Sequence, residues 1–285
     1  MKLDKSKKIL IVGLGLLGGS YARALADKGF YVTAITRSES SIEYALREKM
    51  IARGSTEVDP ALVSEADVIV FALYPHIFKR WIRENAGLIK RGAILTDVTG
   101  VKCSNVYEIQ EMLPEGIEFI AAHPMAGREV YGVENSTPEI FRGANYIVVP
   151  TDKNTEEAIE LCSDLGKVLG FADVSRLSPE KHDEMIAFLS QLTHCIAVSL
   201  MCASDDPNLT RYTGDSFRDL TRIARINENM WSELFLENRE ALLSQMENFK
   251  QSFDDMYSAV RDGDEERMKE MMRLSTKRRA LFDKK

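Results

Sequence analysis

The chain has 285 residues, 45% of them apolar and 28% charged, which is enough for two ordinary domains with a substantial core. The formal charge is −7, so a broadly basic surface for nucleic acid is not expected. With 8 prolines and 17 glycines, composition also argues against disorder. The four cysteines (Cys103, Cys162, Cys195 and Cys202) form no C-x-x-C pair, which fits a reducing cytoplasm better than a disulfide framework or a zinc site.

The N-terminus imitates an export signal, with a basic stretch to Lys8, an apolar run Ile9 to Leu17, and Ala24-Leu25-Ala26 as a small-x-small triplet. Asp4 within the basic stretch and the regularly placed glycines oppose that reading. Cleavage after Ala26 would also remove the first strand and helix of the fold. No uninterrupted apolar run reaches the roughly 20 residues needed to span a bilayer.

Lys8 to Val12 reads as a buried strand, followed by the glycine loop and a helix to about Lys28. Strands are expected at Tyr31 to Ile35, Val68 to Leu73, Ala93 to Thr96, Glu118 to Ala121, Tyr146 to Val149 and Phe171 to Val174. Helices are expected at Ser40 to Lys49, Ile77 to Ala86, Ser104 to Met112 and Thr155 to Leu169. This alternation predicts βαβ units and a mainly parallel sheet. The grammar changes at Arg176-Leu177-Ser178-Pro179, where Ser178 is placed to cap a helix and Pro179 to open it. Beyond it, helices are expected at Glu180 to Ala203, Asn229 to about Val260 and Asp264 to Phe282, with no strand. The division is therefore an α/β domain over 1–176 and an all-helical domain over 177–285.

Gly13-x-Gly15-x-x-Gly18 follows a strand and opens a helix, the context a dinucleotide-binding loop needs. The first glycine allows the tight turn, the second a close approach to pyrophosphate, and the third close helix–strand packing. The second strand ends at Thr36-Arg37-Ser38, where an NAD site usually carries an acid. Arg37 flanked by hydroxyls suits a 2′-phosphate, so NADP is favoured and NAD remains possible. The expected dinucleotide contacts are Gly13, Leu14, Gly15, Leu16, Leu17, Gly18, Arg37, Ser38, Leu73 and Asp97.

His123 lies in Ala122-His123-Pro124-Met125-Ala126-Gly127, a loop after an apolar strand. There it is placed to take a proton from a substrate hydroxyl. Phe217 to Arg225 carries three arginines, a pattern that can clamp a carboxylate or simply face solvent. His76 reads better as a helix N-terminal polar residue, and His182, in the first turn of the long helix, as a capping or structural residue, than as site residues. Arg128 is either an added cation or a rim partner of Glu129. Met268, Met271 and Met272 read as packing.

Over nearly its whole length the chain resembles the prephenate and arogenate dehydrogenases of tyrosine biosynthesis. The resemblance rests on Gly13 to Ser20, Asp97 with Val101-Lys102, and His123-Pro124-Met125-Ala126-Gly127. It continues in Ser178-Pro179-Glu180-x-His182-Asp183, Leu192-x-His194, Phe217-x-Asp219-x-Thr221-Arg222-Ile223-Ala224 and Met230-Trp231. It implies a Rossmann-type dinucleotide-binding domain followed by a helical dimerisation domain, in a cytoplasmic homodimer. The implied reaction oxidises prephenate to 4-hydroxyphenylpyruvate with loss of carbon dioxide. His123 would be the base, Arg222 and His194 would meet the substrate, and Arg218, Lys102 and Trp231 are further substrate candidates. Arg218, Asp219 and Trp231 match positions expected to approach the partner subunit's site.

Three departures stand out. Many members have a serine where this chain has Gly100, which leaves Thr99, a water or nothing to take its place. Many have a histidine at Gln191. The glycine run before the Phe-x-Asp segment is replaced by Gly214-Asp215-Ser216, where Asp215 would either repel an anion or pair with Arg218. The alternatives are an arogenate dehydrogenase, a β-hydroxyacid-type dehydrogenase and a non-catalytic NAD(P)-binding redox sensor. The expected span is the dehydrogenase core alone, with no regulatory or mutase domain.

Overall fold

The computed structural model describes residues 3–128 and 130–283. Its first sheet is built from short runs of Ile, Val and Leu, which are buried on both faces and read as continuous apolar strands rather than alternating ones. The strands are β1 (Lys8–Val12), β2 (Tyr31–Ile35), β3 (Arg53–Ser55), β4 (Val68–Phe71), β5 (Ile94–Asp97) and β6 (Glu118–Phe119). They pair in parallel in the order β3-β2-β1-β4-β5-β6. Strand order reverses across β1 and β4, which opens a crevice at their carboxyl ends. The connecting helices are α1 (Leu16–Asp27), α2 (Glu39–Arg47), α3 (Pro60–Glu65), α4 (Pro75–Asn85) and α5 (Cys103–Met112). The short pair β3 and α3 had no periodic signal, although Asp59 before Pro60 caps α3 through two backbone N–H groups.

The strand expected over Glu118 to Ala121 divides in two. β6 closes the parallel sheet, and β7 (Ala121–Pro124) begins a second sheet. β7 pairs antiparallel with β8 (Asn145–Val149), which runs parallel to β9 (Asp173–Arg176) beyond α6 (Glu156–Leu169). The change of sheet puts His123 opposite Ile147.

A buried ion pair fixes this junction. The Lys102 ammonium donates to the Asp97 carboxylate at 2.7 Å and to the Ala122 carbonyl at 2.6 Å. The other Asp97 oxygen accepts the Ala122 N–H at 3.0 Å. Both charged side chains are 1% exposed.

Beyond β9 the described residues form no strand. Ser178 caps α7 (Pro179–Ile186) through the Lys181 N–H. The helix continues through a π-helical stretch at Ala187–Leu192 into α8 (Thr193–Cys202). This 24-residue helix has a mean hydropathy of 1.7 over its best window, so by length and composition alone it is long enough to cross a bilayer, contrary to the sequence expectation. It instead carries buried His182, Asp183 and Gln191. Then follow α9 (Asp215–Thr221), α10 (Glu228–Glu237), α11 (Arg239–Asp262) and α12 (Glu265–Arg279).

The single helix expected from Asn229 to Val260 breaks at Asn238 because that side chain is needed elsewhere. Its amide donates to the Asp183 carbonyl at 2.9 Å and to Gln191 at 2.8 Å. α10 lies across the α/β region. Glu233 accepts from the His76 N–H at the start of α4, and Glu237 accepts from Ser104 and Asn105 on α5.

Replacing Lys102 by Met would leave the Asp97 carboxylate buried without its counter-ion. The expected cost is about 3–5 kcal/mol, read from denaturant unfolding of Lys102→Met against wild type. A loss below about 1 kcal/mol would show that the pair does not hold the junction.

Candidate active site

The glycine loop leaves β1 at the sheet's carboxyl edge. Gly13 has φ +100°, and a side chain there would meet the Ala72 carbonyl oxygen at 2.4 Å. A Cβ at Gly18 would lie 1.9 Å from the Gly13 carbonyl oxygen, so α1 packs against the loop only as glycine. At Gly15 a Cβ would meet nothing within 4 Å. The first turn of α1 has no side-chain cap and no acid. The result is an open helix N-terminus facing the crevice, an arrangement that fits a pyrophosphate. Leu73 lies near the same loop, with its methyl carbon 3.0 Å from the Cβ position of Gly13.

Arg37 is exposed at the end of β2. Ser38 is largely spent on capping α2, since its hydroxyl accepts the Ser41 N–H at 3.2 Å. The case for a 2′-phosphate therefore narrows to Arg37. Asp97, expected among the dinucleotide contacts, is fully buried. Both its oxygens are engaged by Lys102, Thr99 and Ala122.

Lys102 was expected at the substrate, but it is fully buried, and Asp97, Ala122 and Thr99 take its three donors. Thr99 was expected to stand in for the family serine. It is buried in the same cluster, and its hydroxyl donates to Asp97. These three residues shape the site from behind. The sequence suggests Asp97 at the cofactor and Thr99 and Lys102 at the substrate because a polar loop after a strand looks solvent-facing.

His123 is partly exposed. Its Nδ1 lies 2.9 Å from Nε2 of His182, and Nδ1 of His182 lies 2.7 Å from the Asp183 carboxylate. Asp183 also accepts the Lys102 N–H at 2.9 Å and the Cys103 N–H at 2.8 Å. Of the capping and structural roles open to His182, the structure shows the structural one, a buried link between His123 and Asp183. The Ser178-Pro179-Glu180-x-His182-Asp183 motif was visible, but the contact spans 59 residues.

Burial pushes the His123 pKa well below its ordinary 6.5, helped by neighbouring His182 and the Lys102 ammonium. Burial also lowers His182, against the pull of Asp183. Burial alone would raise the Asp183 carboxyl. The bonds from His182, Cys103 and Lys102 outweigh that and hold it below the usual range.

A side chain at Gly100 would point toward His123, with Cβ 4.0 Å from Cε1 and 3.5 Å from the Leu234 methyl on α10. Three residues before Leu234, Trp231 stacks on His194 of the same chain, with centroids 3.7 Å apart and planes at 30°. His194 Nδ1 lies 2.8 Å from the Ser190 carbonyl. The turn Arg222–Ala224 packs against α8, the helix that carries His194. Arg218 pairs with Asp215 at 2.7 Å and donates to the Thr213 carbonyl, which settles Asp215 as a partner rather than a free anion. Gln191 is buried and donates to the Leu234 carbonyl at 2.8 Å, a tie that holds α10 in place. His76 pairs with Glu233 at 2.8 Å. Arg128 donates to the Asn135 carbonyl at 2.7 Å, while Glu129, its other considered partner, lies outside the described residues.

A glycine-lined helix N-terminus at a strand-order reversal, with an imidazole on the adjoining strand, defines a dinucleotide-dependent oxidoreductase. Residues 21–171 match the nucleotide-binding domain of prephenate dehydrogenase, and residues 178–274 match its dimerization domain. The chain belongs to the prephenate dehydrogenase family. A prephenate dehydrogenase of Lactococcus lactis is 33% identical over 260 residues, covering 88% of this chain and 70% of its own. A cyclohexadienyl dehydrogenase of Zymomonas mobilis is 29% identical and covers 96% of this chain and 95% of its own. The crystal structure of the prephenate dehydrogenase from A. aeolicus, in complex with hydroxyphenyl propionate and NAD+, superimposes with a TM-score of 0.86 at 29% identity. It covers 96% of this chain and 98% of that one.

Gly13→Ala is expected to lower both melting temperature and dinucleotide affinity. Gly15→Ala is expected to leave melting unchanged and lower affinity alone, as read by calorimetry and fluorescence titration. A base needs the neutral imidazole, and His123 titrates below 6.5. The activity limb should therefore lie on the acid side of that value, with activity level through neutrality. A limb centred at or above it in kcat/KM would contradict this. Both imidazoles bind protons less readily folded than unfolded, so stability should also fall as pH drops below 6.5.

Proposed function

We propose that this chain oxidises prephenate to 4-hydroxyphenylpyruvate, releasing carbon dioxide and reducing NAD(P). The observation that carries the proposal is His123, held at the end of β7 with one ring nitrogen committed to the protein interior. A dinucleotide held by the Gly13–Gly18 loop and the start of α1 would supply the hydride acceptor. His123 accepts the proton of the ring hydroxyl as the carbon bearing it is oxidised. Loss of the ring carboxylate then sends its electron pair through the ring to that oxygen. The proton held on His123 returns there, so no net proton is released.

Arg222 is the cation for a substrate carboxylate, and His194 stacked on Trp231 forms a flat polar wall beside it. A local cation is needed because a chain of net charge −7 does not itself attract a dianion. Arg37 supports NADP as the preferred cofactor, with NAD as the alternative. The same reading divides the chain at 176/177 and places it in the cytoplasm. It also pairs two copies through the helical region, where Leu236, Phe253, Tyr257 and Val260 are exposed.

An arogenate dehydrogenase differs only in the amino group on the side chain. A spectrophotometric assay of prephenate and arogenate against NAD and NADP decides both choices. Reduction of neither cofactor with either substrate would sink the reading. In the same assay His123→Asn should lose turnover by at least about 100-fold. Arg222→Ala should raise KM with dinucleotide affinity intact, and an unchanged KM would remove Arg222 from the substrate site.

A further inference from the structure

We infer that His182 and Asp183 form a positioning relay that fixes the tautomer of His123, so that Nε2 alone is the proton acceptor. The inference rests on His123 being the base of the proposed reaction. Both Asp183 oxygens already accept backbone N–H groups, from Lys102 and from Cys103. A carboxylate in that position can only accept, so the proton of the 2.7 Å contact sits on His182 Nδ1. A neutral His182 then has a bare Nε2, and the proton of the 2.9 Å contact sits on His123 Nδ1. That leaves the lone pair of His123 on Nε2.

Every other charged group near the pair is accounted for. The Lys102 ammonium faces both rings and is tied to Asp97, and both are buried. A positive charge lodged on the fully buried His182 would sit beside that ammonium. The neutral, Nδ1-protonated form of His182 avoids the repulsion. When His123 takes a proton at Nε2, its Nδ1–H bond to His182 becomes charge-assisted and strengthens. The relay thus favours the protonated base without moving a second proton.

This explains how the chain manages with glycine at position 100. No side-chain hydroxyl is present there to orient the ring, and orientation comes from the opposite side through His182. His182 and Asp183 touch neither substrate nor cofactor in this scheme and act only through His123.

The protein has four histidines, so 15N-histidine labelling gives a spectrum of four rings, assigned by His→Asn variants at 76, 123, 182 and 194. At neutral pH His123 should carry its proton on Nδ1, and a proton on Nε2 would overturn the inference. In Asp183→Asn the anion that holds the His182 Nδ1–H is gone, and one of the backbone N–H groups of Lys102 and Cys103 loses its acceptor, so the His123 tautomer loses its bias. Its kcat should fall by at least about 100-fold with KM changed by less than about threefold. Asp183→Glu should restore the wild-type tautomer and part of the rate. A kcat of Asp183→Asn within about threefold of wild type would also overturn it. Should Asp183→Asn fail to fold, the wild-type spectrum decides alone. If the wild type shows the Nδ1 tautomer yet turns over neither cyclohexadienol, the proposed function fails and the tautomer assignment stands.

Discussion

One buried lysine organises the molecule. Lys102 and Asp97 together hold both the N–H and the carbonyl of Ala122, the residue before His123. An ion pair removed from water contributes little net stability and is costly to break, so its main effect is to exclude other arrangements. It locks the loop after β5 against β7 at the point where the chain leaves one sheet for another. The backbone N–H groups of Lys102 and Cys103 then seat Asp183. From this one clamp descend the placement of the imidazole, the docking of α7, and the approach of the helical region to the sheet.

The parts of the fold legible in the sequence were those set by local chemistry. The apolar run Lys8–Val12, the glycines after it, and Ser178 before Pro179 each act within a few residues, and each lies where its pattern placed it. The break at Asn238 was invisible because its cause lies at Asp183 and Gln191, some fifty residues away. The site divides the same way. His123 was marked by its strand and loop. His182 was discounted because a histidine in a helix's first turn looks like a local feature. Lys102 and Thr99 were misplaced because nothing near them in the chain signals burial.

The departures from the family pattern are coherent with one another. Gly100 leaves room that Leu234 approaches, and Gln191 holds the Leu234 carbonyl. The substitutions at 100 and 191 therefore meet on one helix. α10 also carries Trp231 against His194 and Glu233 against His76. A single helix thus ties the His194–Trp231 stack to the start of α4.

The π-helical stretch at Ala187–Leu192 acts as a vernier. On a regular helix, at about 100° per residue, His182 and His194 would point about 120° apart. A π stretch accommodates about one extra residue and withdraws roughly that residue's share of rotation. That withdrawal offsets most of the 120°, with His182 bonded to His123 and His194 stacked on Trp231. Deleting one residue from this stretch would restore ordinary winding while turning the second imidazole away. An apparent irregularity in hydrogen bonding is thus the device that lets one helix address two parts of the site.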